Sequence, residues 1–398
     1  MDKQPDALQE LLDRPAAEKE RLGYLHTAAE MMRQPDLWRR TADLVCRAFP
    51  ALAAFRGTTG RALVTGAGSS YYAAVSMVPL LRGSFRVAEA IPSTEILMDP
   101  ESSFPREEFL LVSLARSGDS PEGNAVVDLA ERMRPGLVKE LVITCNADGE
   151  LARLADAAGA HGYKLLLPPE SNDKSLAMTS SFSSLTIAGF GLGFPGAPDT
   201  YRLGVQGLAA AAGTLLSRGS GLARTLAHEG FRRLFYLGSR PYVGGALEAH
   251  LKVQELSGGS VVAKAEDTLG FRHGFMAAVD EESALVIALS QDPCRRAYEV
   301  DLLREIRQKG IGRKTVIVRG GAARLEPAEA DLADAAFDYG PAEAVTDSIL
   351  APLVAVTGQL LGLFVSLEAG LRPDNPSPRG VINRVVQGVR IHPRGECP

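Results

Sequence analysis

Three loops of the chain combine glycine and hydroxyl side chains in a way that suits an anion. Gly66-Ala67-Gly68-Ser69-Ser70 follows an apolar run and opens the helical pattern Tyr71-Tyr72-Ala73-Ala74. Glycines let a backbone approach a ligand closely, and the free N–H groups of a helix start attract negative charge. Ser113-Leu114-Ala115-Arg116-Ser117-Gly118-Asp119-Ser120 ends a second apolar run, offering hydroxyl donors beside a guanidinium. Ser180-Ser181 heads a third segment, uncharged and apolar. Taken singly, each is also a good helix cap: Asp119 or Ser120 before Pro121-Glu122 fits one, and Ser180-Ser181 fits another. Three such loops in one half of the chain favour a phosphate. Neither a G-x-x-x-x-G-K-[ST] loop nor a G-x-G-x-x-G fingerprint is present, so a phosphorylated small metabolite suits better than a nucleotide.

The second half offers different chemistry. A helical pattern over about 242–257 carries Glu248, Lys252 and Glu255 on one face. From the residues alone, a solvated face with a Glu248–Lys252 ion pair is the favoured reading, and an acid/base cluster is its rival. In Gly270-Phe271-Arg272-His273-Gly274, His273 is a candidate acid or base, or a plain surface histidine. His26, His161, His228, His250 and His392 form no ligand spacing, and Cys46, Cys145, Cys294 and Cys397 include no C-x-x-C pair. That pattern predicts no zinc site, no disulfide framework and a reducing, cytoplasmic setting.

The elements that must hold these residues repeat. Short apolar runs ending in Gly or Ser alternate with amphipathic segments: ALVTGAG (62–68), FLLVSLARSG (109–118), ELVITCN (140–146) and YKLLLPP (163–169). RALVTGAGS is echoed by RRLFYLGSR, placing Gly66 against Gly238, 172 residues on. FLLVSL is echoed by SALVIALS and ELVITCN by KTVIVRG, both at an offset of 174. Thr179-Ser180-Ser181 is answered by Thr346-Asp347-Ser348 at an offset of 167. The pattern predicts an α/β protein of two duplicated, doubly wound parallel-sheet domains. Expected boundaries are 1–39 for an N-terminal helical extension, 40–214 and 215–370 for the domains, and 371–398 for a tail that wraps back. Pro35-Asp36 is read as starting a fresh helix that runs to about Phe49, and the join lies in 193–220. With 43 Lys+Arg against 48 Asp+Glu in 398 residues, nucleic-acid binding is not expected. Ile349–Leu367 has no charge over 19 residues, but lacks a flanking basic cluster and reads as a buried core or interface helix, not a membrane span.

VTGAGSSYYAA, SLARSGDSPEG, ITCNADGELA, LEAHLKVQELSGG, LGFRHGF and PDNPSPRGVINRVVQGV together resemble double sugar-isomerase (SIS) domain proteins. The nearest resemblance is to the tagatose-6-phosphate ketose/aldose isomerase family, whose members are galactosamine-6-phosphate deaminase/isomerases. It extends from about Leu37 to Pro393. It implies that Gly66, Gly68, Ser69, Ser70, Arg116, Ser117, Ser120, Ser180 and Ser181 bind the sugar phosphate. It implies too that Glu255 shuttles a proton between C1 and C2, with Lys252 on the same helix, and that His273 assists ring opening from a neighbouring subunit. Two departures stand out. Gln387 occupies the place of a Schiff-base lysine of the related amidotransferases, and Ala115 replaces a serine of their phosphate loop. The expected activity is conversion of galactosamine 6-phosphate to tagatose 6-phosphate and ammonia, without cofactor or metal. The expected assembly is a homodimer or dimer of dimers with shared sites. The alternatives are a non-deaminating isomerase or deglycase, and a sugar-phosphate sensor.

Overall fold

The computed structural model describes residues 6–342, 344–377, 379–386 and 388–392, so Gln387 lies outside the described residues. Three helices open the chain: α1 (Ala7–Leu12), α2 (Ala16–Leu22) and α3 (Leu25–Arg56). A first run follows: β1 (Arg61–Thr65), α4 (Ser69–Leu81), β2 (Val87–Ala90), α5 (Ser93–Met98), α6 (Pro100–Ser103), β3 (Phe109–Ala115), α7 (Pro121–Met133), β4 (Val138–Thr144), α8 (Glu150–Ala157), β5 (Gly162–Leu166) and α9 (Ser180–Phe190). The long α10 (Pro198–Glu229) leads to a second: β6 (Arg233–Leu237), α11 (Val243–Leu256), β7 (Val262–Glu266), β8 (Ser283–Ala288), α12 (Pro293–Lys309), β9 (Lys314–Arg319), β10 (Ala335–Asp338) and α13 (Ala351–Glu368).

Each run makes a five-stranded parallel sheet, in the orders β2-β1-β3-β4-β5 and β10-β9-β8-β6-β7. Counted from the first strand of each run these are the same order, so the repeat read from the sequence is a repeat of topology. The central strands are apolar on both faces, as a sheet covered by helices requires: β3 and β8 are buried along their whole length. Leu63, Leu111 and Val142 centre one core, and Leu285, Ile287 and Ile317 the other.

The chain divides into two compact units that interleave along the sequence. One holds the first sheet, with residues 40–172, 181–201 and the described residues from 379 on. The other holds the second sheet, with the described residues up to 39, 173–180 and 202–377. Both boundaries by chain order thus fall inside continuous helices, α3 and α10, and the expected join at 193–220 is mostly helix.

Pro35 does not start a helix; it sits inside α3. A proline removes the amide that would bond the carbonyl four residues back. Here that carbonyl, of Met31, accepts instead from the Gln34 side-chain Nε2 at 3.1 Å. The start of α3 is held by the returning tail, because Asp374 Oδ1 accepts from the Thr27 amide at 2.7 Å and the His26 amide at 3.1 Å.

Among the described residues α13 is the one helix long and apolar enough to cross a membrane, and 89% of it is buried inside the protein. Its partner is α11. A Cβ on Gly358 would lie 2.3 Å from the Ala249 Cα, and one on Gly362 2.9 Å from the Lys252 carbonyl oxygen. The two helices therefore touch backbone to backbone, which fixes α11 and what it carries.

Candidate active site

In the first sheet, strand order reverses between β1 and β3, the position where an open parallel sheet presents a ligand crevice. Thr65 is level with Ser113 there, so the loops that follow the two strands are neighbours. In the β1 loop, a Cβ on Gly66 would meet the Ser70 Cβ at 2.7 Å, so the strand-to-helix turn closes only with glycine. Gly68 takes φ +55° and is the N-cap of α4, with no side chain to bond the first amides. Ser69 and Ser70 are buried in the first turn.

In the β3 loop, Ser117 and Ser120 are half-buried and Gly118 takes φ +75°. Ser120 occupies the N-cap of α7, but its hydroxyl donates to Glu122 Oε2 at 2.6 Å and makes no cap bond. Asp119 caps elsewhere, accepting from the first amide of α8 at 3.1 Å. The cap reading of this loop therefore does not hold for α7. Arg116 is 7% exposed and donates from Nη2 to the Arg384 carbonyl at 2.6 Å, while Arg384 Nη2 reaches Asn172 Oδ1 at 2.6 Å. The tail is thereby tied to the serine loop.

The head of α9 rests on two acidic residues that the sequence reading did not single out. Asp173 accepts from the Thr179 amide at 2.7 Å and from the Ser180 hydroxyl. Glu30 accepts from the Lys174 amide at 2.6 Å and from the Ser175 hydroxyl. Burial, and then the nearby Asp173, push the Glu30 carboxyl up to about 7. Ser180 and Ser181 are both fully buried. The signal for Asp173 was its place six residues before Thr179; for Glu30, distant in sequence, there was none.

The face of α11 is not solvated. Glu248 and Lys252 are fully buried against α13, which overturns the solvated-face reading. Lys252 Nζ lies 2.5 Å from Glu255 Oε2 and 3.3 Å from Glu248 Oε1. Burial alone would lower the lysine's pKa, but the two carboxylates outweigh it and hold the ammonium above the usual value. The two carboxylates thus favour the charged form of Lys252. Glu255, in the last turn of α11, keeps its side chain 22% exposed. Burial pushes His250, on the same helix, down to about 4, so it is neutral near neutrality.

His273 is exposed at a turn built to hold it outward. Phe271 is buried against Phe235 with ring centroids 5.6 Å apart, Arg272 Nε pairs with Glu305 at 2.6 Å, and Asp267 accepts from the Gly270 amide at 2.7 Å. Glu255 precedes the start of β7, beside Gln254, whose Oε1 accepts from Ala263 N at 3.4 Å. His273 follows the other end of that strand. The structure brings Lys252 and Glu255 together, while His273 lies in the segment that leads from the end of β7 back to the start of β8. Among the described residues no group of three or more His, Cys, Asp or Glu side chains is arranged to hold a metal ion.

No protein-family model matches the chain. A Streptomyces coelicolor protein, named provisionally a D-galactosamine-6-phosphate deaminase AgaS, is 40% identical, the match covering 92% of this chain and 95% of that one. The D-galactosamine-6-phosphate deaminase AgaS of a Shewanella species is 32% identical over 93% and 92% of the two chains. Among solved structures, one from Clostridium novyi NT, described provisionally as a tagatose-6-phosphate ketose/aldose isomerase, superposes with a TM-score of 0.88 at 34% identity. It covers 94% of this chain and 96% of that one.

Proposed function

The chain belongs to the D-galactosamine-6-phosphate deaminase AgaS family, and from that premise we propose that it converts galactosamine 6-phosphate to tagatose 6-phosphate and ammonia. The observation that carries this reading is the far end of α11, where the partly exposed Glu255 carboxylate lies 2.5 Å from the Nζ of the buried Lys252, whose charged form two carboxylates favour.

In the open-chain substrate, Glu255 takes the C2 proton while the carbonyl electrons move onto O1, which takes a proton from solvent, giving a C1–C2 enolamine. Returning that proton to C1 leaves an iminium at C2. Water adds to it, ammonia leaves, and the C2 ketone remains. One base on one face suffices for both transfers. Lys252 anchors the carboxylate in one geometry, which matters because misplacement of a base by an ångström is costly in rate. The loops Gly66–Ser70 and Arg116–Ser120, with Ser180-Ser181, hold the 6-phosphate, whose binding energy orients C1 and C2.

His273 opens the sugar ring from the partner copy in a homodimer or a dimer of dimers. Its exposure at the Gly270–Gly274 turn supports this reading. Neither nucleic acid nor membrane is a partner. The reaction runs in the cytoplasm, with which the lack of disulfides among the described residues agrees.

The test is to incubate the purified protein with galactosamine 6-phosphate, glucosamine 6-phosphate and tagatose 6-phosphate and assay both ketose and ammonia. Equimolar tagatose 6-phosphate and ammonia from the galacto substrate is expected. Ketose formation without ammonia would mean plain isomerisation, and binding without turnover would mean a sensor; either overturns the proposal.

A further inference from the structure

The carboxyl ends of the second sheet, where a parallel sheet ordinarily presents a ligand crevice, are not used by Glu255. Glu255 is in the last turn of α11, whereas the first turn of α11 is the part that follows the carboxyl end of β6. At that unused end lies a cavity of about 650 Å³, within the range of small-molecule sites. Ser239 and Arg240 line it from beyond β6, Glu266 from the end of β7, Val243 and Leu247 from α11, and Tyr298 from α12.

The lining has a definite chemistry. Among the described residues Arg240 makes no ion pair. Lys264, also on the wall, has its nearest carboxylate, Glu266, 3.9 Å away. A third cation, Arg295, is already committed to Asp347 at 2.5 Å. Arg240, free of an ion pair among the described residues, and Lys264, only loosely paired with Glu266, suit a dianion such as a phosphate monoester, with Asp267 also on the wall. Glu266 and the Ser239 hydroxyl suit the hydroxyls of a polyol, and Tyr298, 60% exposed, with Leu269 gives an apolar wall for the C–H face of a ring.

We propose that this cavity is a second, non-catalytic site for a sugar phosphate. An occupant would touch Val243 and Leu247, on the helix that bears Lys252 and Glu255. Along that helix Glu255 is 8 to 12 residues away, roughly 12–18 Å at 1.5 Å per residue. Arg295 joins the cavity wall to Asp347, which also accepts from Tyr242, the N-cap of α11. Binding therefore bears on the helix that carries the proton-transfer residue, so a sugar phosphate acts there as an effector. That last step rests on the function proposed above; the existence of the site does not.

The probe is tagatose 6-phosphate, titrated calorimetrically into the full-length protein. Two equivalents per chain are expected in the wild type. Arg240→Ala/Lys264→Ala should weaken one of them at least tenfold and leave turnover at low substrate unchanged. Ser117→Ala/Ser120→Ala should weaken the other. Arg240→Lys/Lys264→Arg should retain both. A single equivalent that Ser117→Ala/Ser120→Ala removes overturns the second site and leaves the proposed function standing. A single equivalent that Arg240→Ala/Lys264→Ala removes supports the cavity and sinks the phosphate loop. No binding, or two equivalents untouched by Arg240→Ala/Lys264→Ala, also overturns the cavity proposal.

Discussion

The two sheets share one topology, yet their carboxyl ends do opposite things with the same backbone. Gly66 closes against Ser70, and 172 residues on Gly238 closes against Tyr242, with a would-be Cβ 3.0 Å from the tyrosine's Cβ. Where the first half has Ser180, the second has Asp347, and the Asp347 carboxylate accepts the Gln291 amide at 2.9 Å and the Asp292 amide at 3.1 Å. Arg295 and the Tyr242 hydroxyl complete its shell. At the offset of 172 that aligns Pro121 with Pro293, these amides answer those of Asp119 and Ser120. The loop amides at the carboxyl end of the second sheet are thus held by the chain's own Asp347 carboxylate. The residues proposed for proton transfer, Lys252 and Glu255, sit elsewhere, towards the far end of α11.

The comparison breaks most readily at Asp347. Asp347→Ala removes the internal anion and leaves a guanidinium, a buried phenol and two amides without their acceptor, a loss of about 3–5 kcal/mol. Ser180→Ala, at the matching place, removes one hydroxyl bond and should cost about 1 kcal/mol. Denaturant melts of both variants check the contrast, and equal losses would show that Asp347 fills no special place. Next in size, Ser117→Ala/Ser120→Ala should raise KM for the sugar phosphate roughly 10- to 100-fold, as lost charge-assisted bonds of 1.5–3 kcal/mol imply. Ser290→Ala, in the corresponding loop of the second sheet, should leave KM where it was; a comparable rise there would mean that this loop also binds the sugar phosphate.

Subunit sharing is tested by complementation. Mixed oligomers of Glu255→Gln and His273→Ala chains should regain part of the activity that each homo-oligomer lacks. No recovery in verified mixed oligomers would place both residues in one chain's site.

A further contrast is a difference in pH dependence between the two helix heads. Burial raises the Asp347 pKa, but Tyr242, Arg295 and the loop amides outweigh that and hold it below the usual range. Its contribution is therefore present above about pH 4 and lost as pH falls through the lower folded value. Glu30, beneath the head of α9, is pushed up to about 7, by burial first and Asp173 second. Between its ordinary value and about 7 the folded state binds the extra proton, so stability falls as pH rises across that window, by up to ~3 kcal/mol. Glu30→Gln should flatten the fall between pH 5 and pH 7, while Asp347→Asn should leave that slope intact. The reverse pattern in melts at the two pH values would contradict the assignment.

What the sequence made legible follows from what repeats locally. The central strands are unbroken apolar runs, and the offsets from Gly66 to Gly238 and from Leu111 to Leu285 expose the duplication directly. Missed were β2, β7 and β10, edge strands on which buried and exposed positions mix, so no apolar run marks them. Pro35 misled because the Gln34 amide replaces the missing bond, a substitution that a rule about proline does not contain. The spacing of Glu248, Lys252 and Glu255 showed their shared face but not its burial. That depends on α13, some 100 residues away, approaching through Gly358 and Gly362. Glu30 stayed hidden for the same reason, since it meets Lys174 and Ser175 only in three dimensions.

The most direct test of the central claim is turnover and binding of galactosamine 6-phosphate by Glu255→Gln. The exchange keeps the side chain's shape and a hydrogen bond to Lys252 while removing the base. Turnover should fall at least a thousandfold, in keeping with the 10²–10⁴ attributed to a positioned base plus loss of its alignment, with the dissociation constant of the sugar phosphate changed less than about fivefold. Wild-type turnover by Glu255→Gln would contradict the account outright.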